Sequence, residues 1–260
     1  MQFSQPGDHG RVVLVTGARR GIGAALALAL AEPGRLLIIH THRDEELSEA
    51  QAVASAVRAK GAHVEIMTAD LSYVDATHRL AIAIIEKHGG LDILVNNAAK
   101  SSYVPIDRIT PEEWQTTLGV NLTAPFLLAQ AALPGMIERR WGRIINVTSI
   151  TERLGGPSGA AYVSSKGGLV ALTRSIARNV RVEGVTANAL SPGAVLTEQE
   201  YEFVPEQNRA QVDVEVIGRQ SLPRRLLPND LASAVRFLAD EGSNSVTGQV
   251  IEVNGGWLFR

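Results

Sequence analysis

A tyrosine and a lysine four residues apart, Tyr162 and Lys166 in the stretch AAYVSSKGGL, are of types and spacing that could do chemistry. A phenol is a poor acid or base at neutral pH, because its unperturbed pKa is about 10. An ammonium beside it favours the phenolate and lowers that value. Residues i and i+4 share a helix face, so the spacing brings both groups to one place. A surface tyrosine and a solvated lysine explain the pair equally well on their own, so the rest of the chain must decide.

Gly17, Gly21 and Gly23 lie in VTGARRGIGAALALALA, where an apolar run turns sharply into an Ala/Leu-rich stretch. Glycine permits the turn, and its missing side chain lets a diphosphate approach the helix N-terminus. The spacing is GxxxGxG rather than the usual dinucleotide GxGxxG, and a purely structural turn would also use it. Further on, LLIIHTHRDEE places His40, Thr41, His42 and Arg43 at the end of the next apolar run. An acid there would accept from a ribose 2′-hydroxyl, whereas positive charge suits a 2′-phosphate. Asp44 comes late and is expected to cap the following helix. With Arg20 just before Gly21, the balance favours NADP over NAD. His40 and His42 have no further ligands beside them, so no metal is expected.

Other segments fall at the ends of apolar runs: Asp70 with Leu71, NNAA at 96–99, Ser149 in TSI, and SPGAVLT at 191–197. Each has a structural alternative, since Asp70 would serve as a helix cap and Asn96–Asn97 as a turn. Asn121 sits in the middle of a helical stretch, where its propensity is poor. It either bends that helix, holds a water or faces solvent.

Seven apolar runs would position these residues: 11–15, 35–39, 63–67, 91–95, 142–147, 185–190 and 248–253. Short Val/Ile/Leu runs read as strands of a parallel sheet covered on both faces. Helical stretches separate them at 21–32, 44–60, 72–88, 111–138, 159–183 and 229–240. The alternation predicts an α/β fold, a doubly wound sheet of about seven parallel strands flanked by helices. A flexible segment over residues 1–10 is expected before a single domain over 11–260. Residues 191–225 are too long and mixed for a turn and are expected to form a substrate lid.

The composition narrows the function. The chain has 260 residues, 45% hydrophobic and 20% charged, with a net charge of −2. That charge gives no reason to expect nucleic acid or an anionic membrane as partner. Zero cysteines exclude a disulfide framework and a thiol nucleophile. The polar N-terminus lacks a signal-peptide core, and no apolar run approaches the ~20 residues of a membrane-spanning helix. The expectation is a soluble, cytoplasmic protein.

Taken in order, TGARRGIG (16–23), NNAA, Asn121, Ser149, the Tyr162/Lys166 pair, PGAVLT (192–197) and VTGQVIEVNGGW (246–257) resemble the short-chain dehydrogenase/reductase family over essentially the whole chain. Within it, the chain is most similar to reductases of the 3-oxoacyl-[acyl carrier protein] type. The resemblance implies a Rossmann-type fold and an NADP-dependent oxidoreductase acting on a ketone or secondary alcohol, a small-molecule substrate that would include a 3-oxoacyl thioester. It implies that Tyr162 exchanges a proton with the substrate oxygen and that Ser149 positions that oxygen. Lys166 would lower the tyrosine pKa and hold the nicotinamide ribose, while Asn121 holds a relay water. Gly17, Arg19, Arg20, Gly21, Ile22 and Gly23 would face the cofactor phosphates, with His42 and Arg43 at the 2′-position. Asp70, Leu71, Asn97 and Ala98 would line the adenosine side, and Pro192, Gly193, Val195 and Thr197 would cover the nicotinamide. A homotetramer or homodimer is also implied. Two departures stand out: NNAA replaces the family's usual NNAG, and Glu152 and Arg153 put charge beside the expected substrate site. A rival reading is a dinucleotide-sensing regulatory protein of the same fold without turnover.

Overall fold

The computed structural model describes residues 10–259. The flexible segment expected over residues 1–10 lies, apart from Gly10, outside them. Seven strands form one sheet: β1 (Val12–Val15), β2 (Leu36–Thr41), β3 (His63–Thr68), β4 (Ile93–Asn96), β5 (Gly142–Val147), β6 (Val185–Pro192) and β7 (Val250–Val253). Their order is β3-β2-β1-β4-β5-β6-β7, and every pair is parallel. The five inner strands β2, β1, β4, β5 and β6 are buried at every residue, as strands covered on both faces must be.

The helices are α1 (Gly21–Leu30), α2 (Leu47–Ala59), α3 (Val74–His88), α4 (Pro111–Leu118), α5 (Ala124–Glu138), α6 (Thr151–Leu154), α7 (Ala160–Asn179), α8 (Glu198–Phe203), α9 (Glu206–Gly218) and α10 (Ala232–Ala239). They divide the core in two. Leu26, Leu30 and Val57 pack with Val235 and Leu238 on one face, and Leu80, Ile84, Leu128 and Met136 pack on the other. Local chemistry sets several boundaries. Thr110 caps α4 by accepting from the Glu113 N–H, with Pro111 in the first turn, and Gly89 ends α3 with φ of 75°.

The helix expected over 111–138 is not uniform: a π-helical turn, Gly119–Thr123, separates α4 from α5. Asn121 lies within it, fully buried, so the residue that suits a helix poorly marks the distortion. Pro111–Glu138 is also, by length and composition, apolar enough to cross a membrane, which corrects the expectation that no stretch approaches that size. Its Leu127, Leu128, Ala132 and Met136 are instead buried against the sheet. A buried chain of amides ties α7 to the strands: Asn96 Nδ2 donates to Asn146 Oδ1 at 2.8 Å, and Asn146 Nδ2 donates to Thr173 Oγ1 at 2.8 Å. These bonds set the height and rotation of α7 over the carboxyl ends of β4 and β5.

Candidate active site

The first two turns of α7 carry Tyr162 and Lys166 to the carboxyl edge of the sheet, beside Ser149 just beyond β5. Ser149 Oγ accepts from Thr151 Oγ1 at 3.0 Å and from the Thr151 N–H at 3.3 Å, and it hydrogen-bonds the Tyr162 phenol. With two bonds accepted from Thr151, the serine's own proton is free to point at the phenol or at a substrate oxygen. Thr151 was not anticipated from sequence. Its only signal is a hydroxyl two residues after Ser149, too common to notice without the fold.

Lys166 is 2% exposed, and its ammonium donates to the Val147 carbonyl at 2.7 Å. It lies 5.5 Å from the centroid of the Tyr162 ring. Burial pulls its pKa down to about 7. Burial also pushes Tyr162 up to about 12, against a smaller downward effect of the Ser149 hydrogen bond, with nearby Tyr103 adding to the rise. The expectation that Lys166 lowers the tyrosine is therefore corrected for the protein by itself. Its ammonium is turned to the Val147 carbonyl, and desolvation of the phenolate dominates.

The lysine shift has a stability consequence. Its folded pKa of about 7 lies below its unfolded value of about 10.4, so between these values the unfolded chain holds more protons. Stability from this group is accordingly lost as pH falls and gained as it rises, by up to about 1.4 kcal/mol per pH unit. Urea unfolding from pH 7 to 9 is expected to show wild type gaining stability relative to Lys166→Met; parallel curves would contradict the assignment.

Asn121 Oδ1 accepts from the Lys100 N–H at 2.8 Å, and its Nδ2 donates to the Lys100 carbonyl and to Ser165 Oγ, both at 3.0 Å. Ser165 Oγ in turn donates to the Tyr162 carbonyl at 2.7 Å. The π turn is thereby pinned to the start of α7. Both amide protons are used, which leaves one lone pair of Oδ1 for a water.

On the opposite side of the edge stands the glycine-rich turn. Gly17 and Gly21 adopt φ of 62° and 57°, values that favour glycine. A Cβ on Gly23 would come within 2.2 Å of the Gly17 carbonyl oxygen and 2.5 Å of Asn97 Nδ2. α1 opens without a side-chain cap and with no acid in its first turn, so its N–H groups are left for another acceptor. This cradle fits a dinucleotide diphosphate. Asn97 braces it from beneath, donating from Nδ2 to the Thr16 and Gly17 carbonyls at 2.9 and 3.1 Å, while the Asn97 and Ala98 N–H groups bond Thr16 Oγ1 at 3.0 Å each. The Asn97 side chain thus supports the turn. His40, expected at the end of β2 but not as a support of the glycine turn, accepts from the Gly17 N–H through Nδ1 at 3.1 Å and bonds the Ala69 carbonyl through Nε2 at 3.0 Å. Burial drives its pKa down to about 4, so it stays neutral and keeps both bonds at physiological pH.

The remaining expected residues divide. Ile22 packs against the core. His42 Nδ1 is 3.7 Å from Asp70 Oδ1. Burial raises the Asp70 pKa, but two Ser72 hydrogen bonds and the charges of His42 and Arg43 outweigh it and hold the group below the usual carboxylate range. Leu71 is buried beside it. The stretch from Pro192 to Thr197 passes back toward the glycine turn. The Pro192 carbonyl accepts from the Ile150 N–H at 3.2 Å, and Gly193 packs so closely that a Cβ would lie 2.8 Å from Asn254 Cα. Val195 bridges to Leu226, and Thr197 with Glu198 reaches the open side of Gly21. Arg19 and Arg20 are both occupied by carboxylates: Arg19 pairs with Glu46 at 3.2 Å and with Glu49, and Arg20 with Glu202 of α8. Arg153 is turned to Glu252 at 3.0 Å and the Phe259 carbonyl, so its charge is spent on the C-terminal segment. The Tyr103 and Phe203 rings meet tilted by 51°, with centroids 5.9 Å apart. Among the described residues no group of three or more His, Asp or Glu is placed to hold a metal ion.

Comparison with known proteins places this arrangement. A family model described as enoyl-(acyl carrier protein) reductase matches residues 17–258. A 3-oxoacyl-[acyl-carrier-protein] reductase of Vibrio cholerae is 38% identical over 248 residues, covering 95% of this chain and 97% of the relative. Its counterpart from Staphylococcus aureus is 35% identical over 246 residues, covering 94% and 96%. A crystal structure of a 3-oxoacyl (acyl-carrier-protein) reductase from Agrobacterium tumefaciens with NADP bound superposes with a TM-score of 0.88 at 32% identity, covering 96% of this chain and 95% of that one. A gluconate 5-dehydrogenase from Burkholderia cenocepacia in complex with NADP and tartrate gives 0.85 at 32% identity, with 96% and 95% coverage.

Proposed function

This chain belongs to the short-chain dehydrogenase/reductase family, and from that premise we propose that it reduces the carbonyl of a 3-oxoacyl thioester, or of a ketone of similar reach, to the secondary alcohol. It is an NADP-dependent oxidoreductase acting on CH–OH groups. The observation that carries the reading is Ser149, Tyr162 and Lys166 converging at the same sheet edge as a glycine cradle open to a diphosphate.

The nicotinamide, when bound, supplies the hydride. The chain's own residues manage the oxygen and its proton. Ser149, oriented by Thr151, donates to the substrate oxygen and stabilises the negative charge that develops on it. Tyr162 gives its phenolic proton to that oxygen. Lys166, titrating near neutrality, returns a proton to the phenolate, and Asn121 holds the turn through which water reaches it. Gly17, Gly21 and Gly23 would hold the diphosphate, Asp70, Leu71, Asn97 and Ala98 would border the adenosine, Pro192 to Thr197 would cover the nicotinamide, and residues 191–225 would form the substrate lid. Ser149→Ala is expected to lower kcat by about 10²–10³-fold with a smaller change in KM. A KM rise at unchanged kcat would assign Ser149 to uniform substrate binding instead.

We further propose a homotetramer or homodimer in the cytoplasm. Its supporting feature is a groove of about 390 Å³ lined by Leu71, Val74, Trp114, Leu118 and Leu127. Light scattering of the purified chain tests it.

The function is tested by following oxidation of NADPH and NADH in parallel with a 3-oxoacyl thioester, a keto-sugar acid, a cyclic ketone and a 2-enoyl thioester. NADPH consumption with the 3-oxoacyl thioester is expected. Consumption with the enoyl thioester alone would move the reaction to the carbon–carbon double bond. Tight cofactor binding with no turnover on any compound would favour a dinucleotide sensor.

A further inference from the structure

The turn after β2 carries a carboxylate where the adenosine ribose of a dinucleotide is recognised. Glu46 closes the short 3₁₀ turn Asp44–Glu46 and folds back toward the strand end. One of its oxygens, Oε2, accepts from Thr41 Oγ1 at 2.7 Å and from the His42 N–H at 3.1 Å, and it lies 3.2 Å from Arg19 Nε. The Arg43 N–H also donates to this carboxylate. Arg19 reaches it from the glycine-rich turn, so the two halves of the expected cofactor pocket meet on Glu46. A hydroxyl, two successive backbone N–H groups and a guanidinium converging on one point make a donor set suited to a phosphate dianion. Thr41 is 1% exposed, so its hydroxyl has no water to turn to.

Charge makes the arrangement exclusive. A 2′-phosphate drawn to these donors would meet the carboxylate already bonded to them, and two anions within hydrogen-bonding distance of the same protons repel. The ribose 2′-hydroxyl of NAD meets no such conflict, because a carboxylate accepts from it. Arg20 gives no relief, since it is engaged by Glu202, with Nη2 3.1 Å from Oε2, whereas Arg43 is exposed on the same turn as Glu46. Glu46 is still able to leave: its side chain is 22% exposed and sits on a single short turn.

We propose that Glu46 stands in for the 2′-phosphate of the cofactor and sets how strongly the chain prefers NADP to NAD. NADP enters when Glu46 swings out and its donors pass to the phosphate. The apparent NADP affinity is then the intrinsic affinity reduced by the fraction of molecules with Glu46 withdrawn. NAD binds with Glu46 in place. This inference rests on the reading of the chain as a nicotinamide-dinucleotide enzyme.

Calorimetric titration of the full chain with 2′,5′-ADP and with 5′-AMP tests it without turnover. Glu46→Gln, and Glu46→Ala as a second variant, are expected to bind 2′,5′-ADP about tenfold tighter than wild type, with 5′-AMP changed by less than about threefold. Arg19→Met leaves Glu46 intact and removes a phosphate donor, so it should weaken 2′,5′-ADP selectively. Equal shifts for both nucleotides, or no shift in either Glu46 variant while wild type binds both, would overturn the role of Glu46 alone. Failure of wild type to bind either nucleotide would overturn the dinucleotide reading and this inference with it.

Discussion

Tyr162→Phe is expected to lower kcat for carbonyl reduction by about 10²–10⁴-fold while leaving cofactor affinity within about threefold. In the proposed mechanism the phenol is the acid that meets the substrate oxygen, and Lys166 only reloads it. Ser149 donates a hydrogen bond but is far too weak an acid to give its proton up, and the Lys166 ammonium is bound to the Val147 carbonyl. Phenylalanine keeps the ring and its packing and removes only the oxygen. The tyrosine's hydrogen bond goes to Ser149 and its ring faces Lys166, while the glycine cradle is held by Asn97, Thr16 and His40. Binding and chemistry should therefore separate. Steady-state kinetics combined with a fluorescence titration of NADPH checks this; a kcat within about threefold of wild type would remove Tyr162 from the reaction.

Gly23→Ala is expected to destabilise the fold by about 2–4 kcal/mol and to weaken dinucleotide binding by about 100-fold. The added methyl would overlap the Gly17 carbonyl oxygen at 2.2 Å, Asn97 Nδ2 at 2.5 Å and Ala18 Cα at 2.9 Å. Two of these atoms are backbone, and the third is fixed by bonds to Thr16 and Gly17, so no flexible side-chain end is available to give way. The turn must open, and Asn97 then loses acceptors inside the protein. Gly218→Ala is the matched control, because a Cβ there meets nothing within 4 Å. It should be neutral or slightly stabilising. Urea unfolding and calorimetry on both variants decide the matter, and equal behaviour would mean that the close approach at Gly23 relaxes freely.

The strands were legible because strands covered on both faces are rich in apolar residues, and the Val, Leu and Ile of RVVLV, LDILV and GRIINV announce that directly. Asn121 was legible as an anomaly, and the π turn supplies its physical reason. Type and spacing drew attention to Tyr162 and Lys166, the end of an apolar run to Ser149, and the family resemblance gave them roles; the structure brings the three to one edge. The partners of charges were not legible. Arg20 meets Glu202, 182 residues away in the chain, and no local pattern encodes such a meeting. Glu46 fell without distinction inside the helical stretch expected over 44–60, because folding back onto Thr41 depends on the 3₁₀ turn and on Arg19 arriving from another loop. The direction of the Tyr162 shift was misread for a related reason. Sequence spacing places Lys166 nearby but does not say that its ammonium bonds Val147 or that burial outweighs its charge.

In the proposed reaction a hydride passes from NADPH to a carbonyl carbon whose oxygen is held by Ser149 and Tyr162. The most direct measurement uses NADPH carrying deuterium at the transferable position of its nicotinamide, with a 3-oxoacyl thioester as acceptor and mass spectrometry of the product. The predicted result is a 3-hydroxyacyl product with one deuterium on the carbinol carbon, formed by wild type and lost with Tyr162→Phe. Product without deuterium at that carbon, or deuterated product formed equally well by Tyr162→Phe, would contradict it.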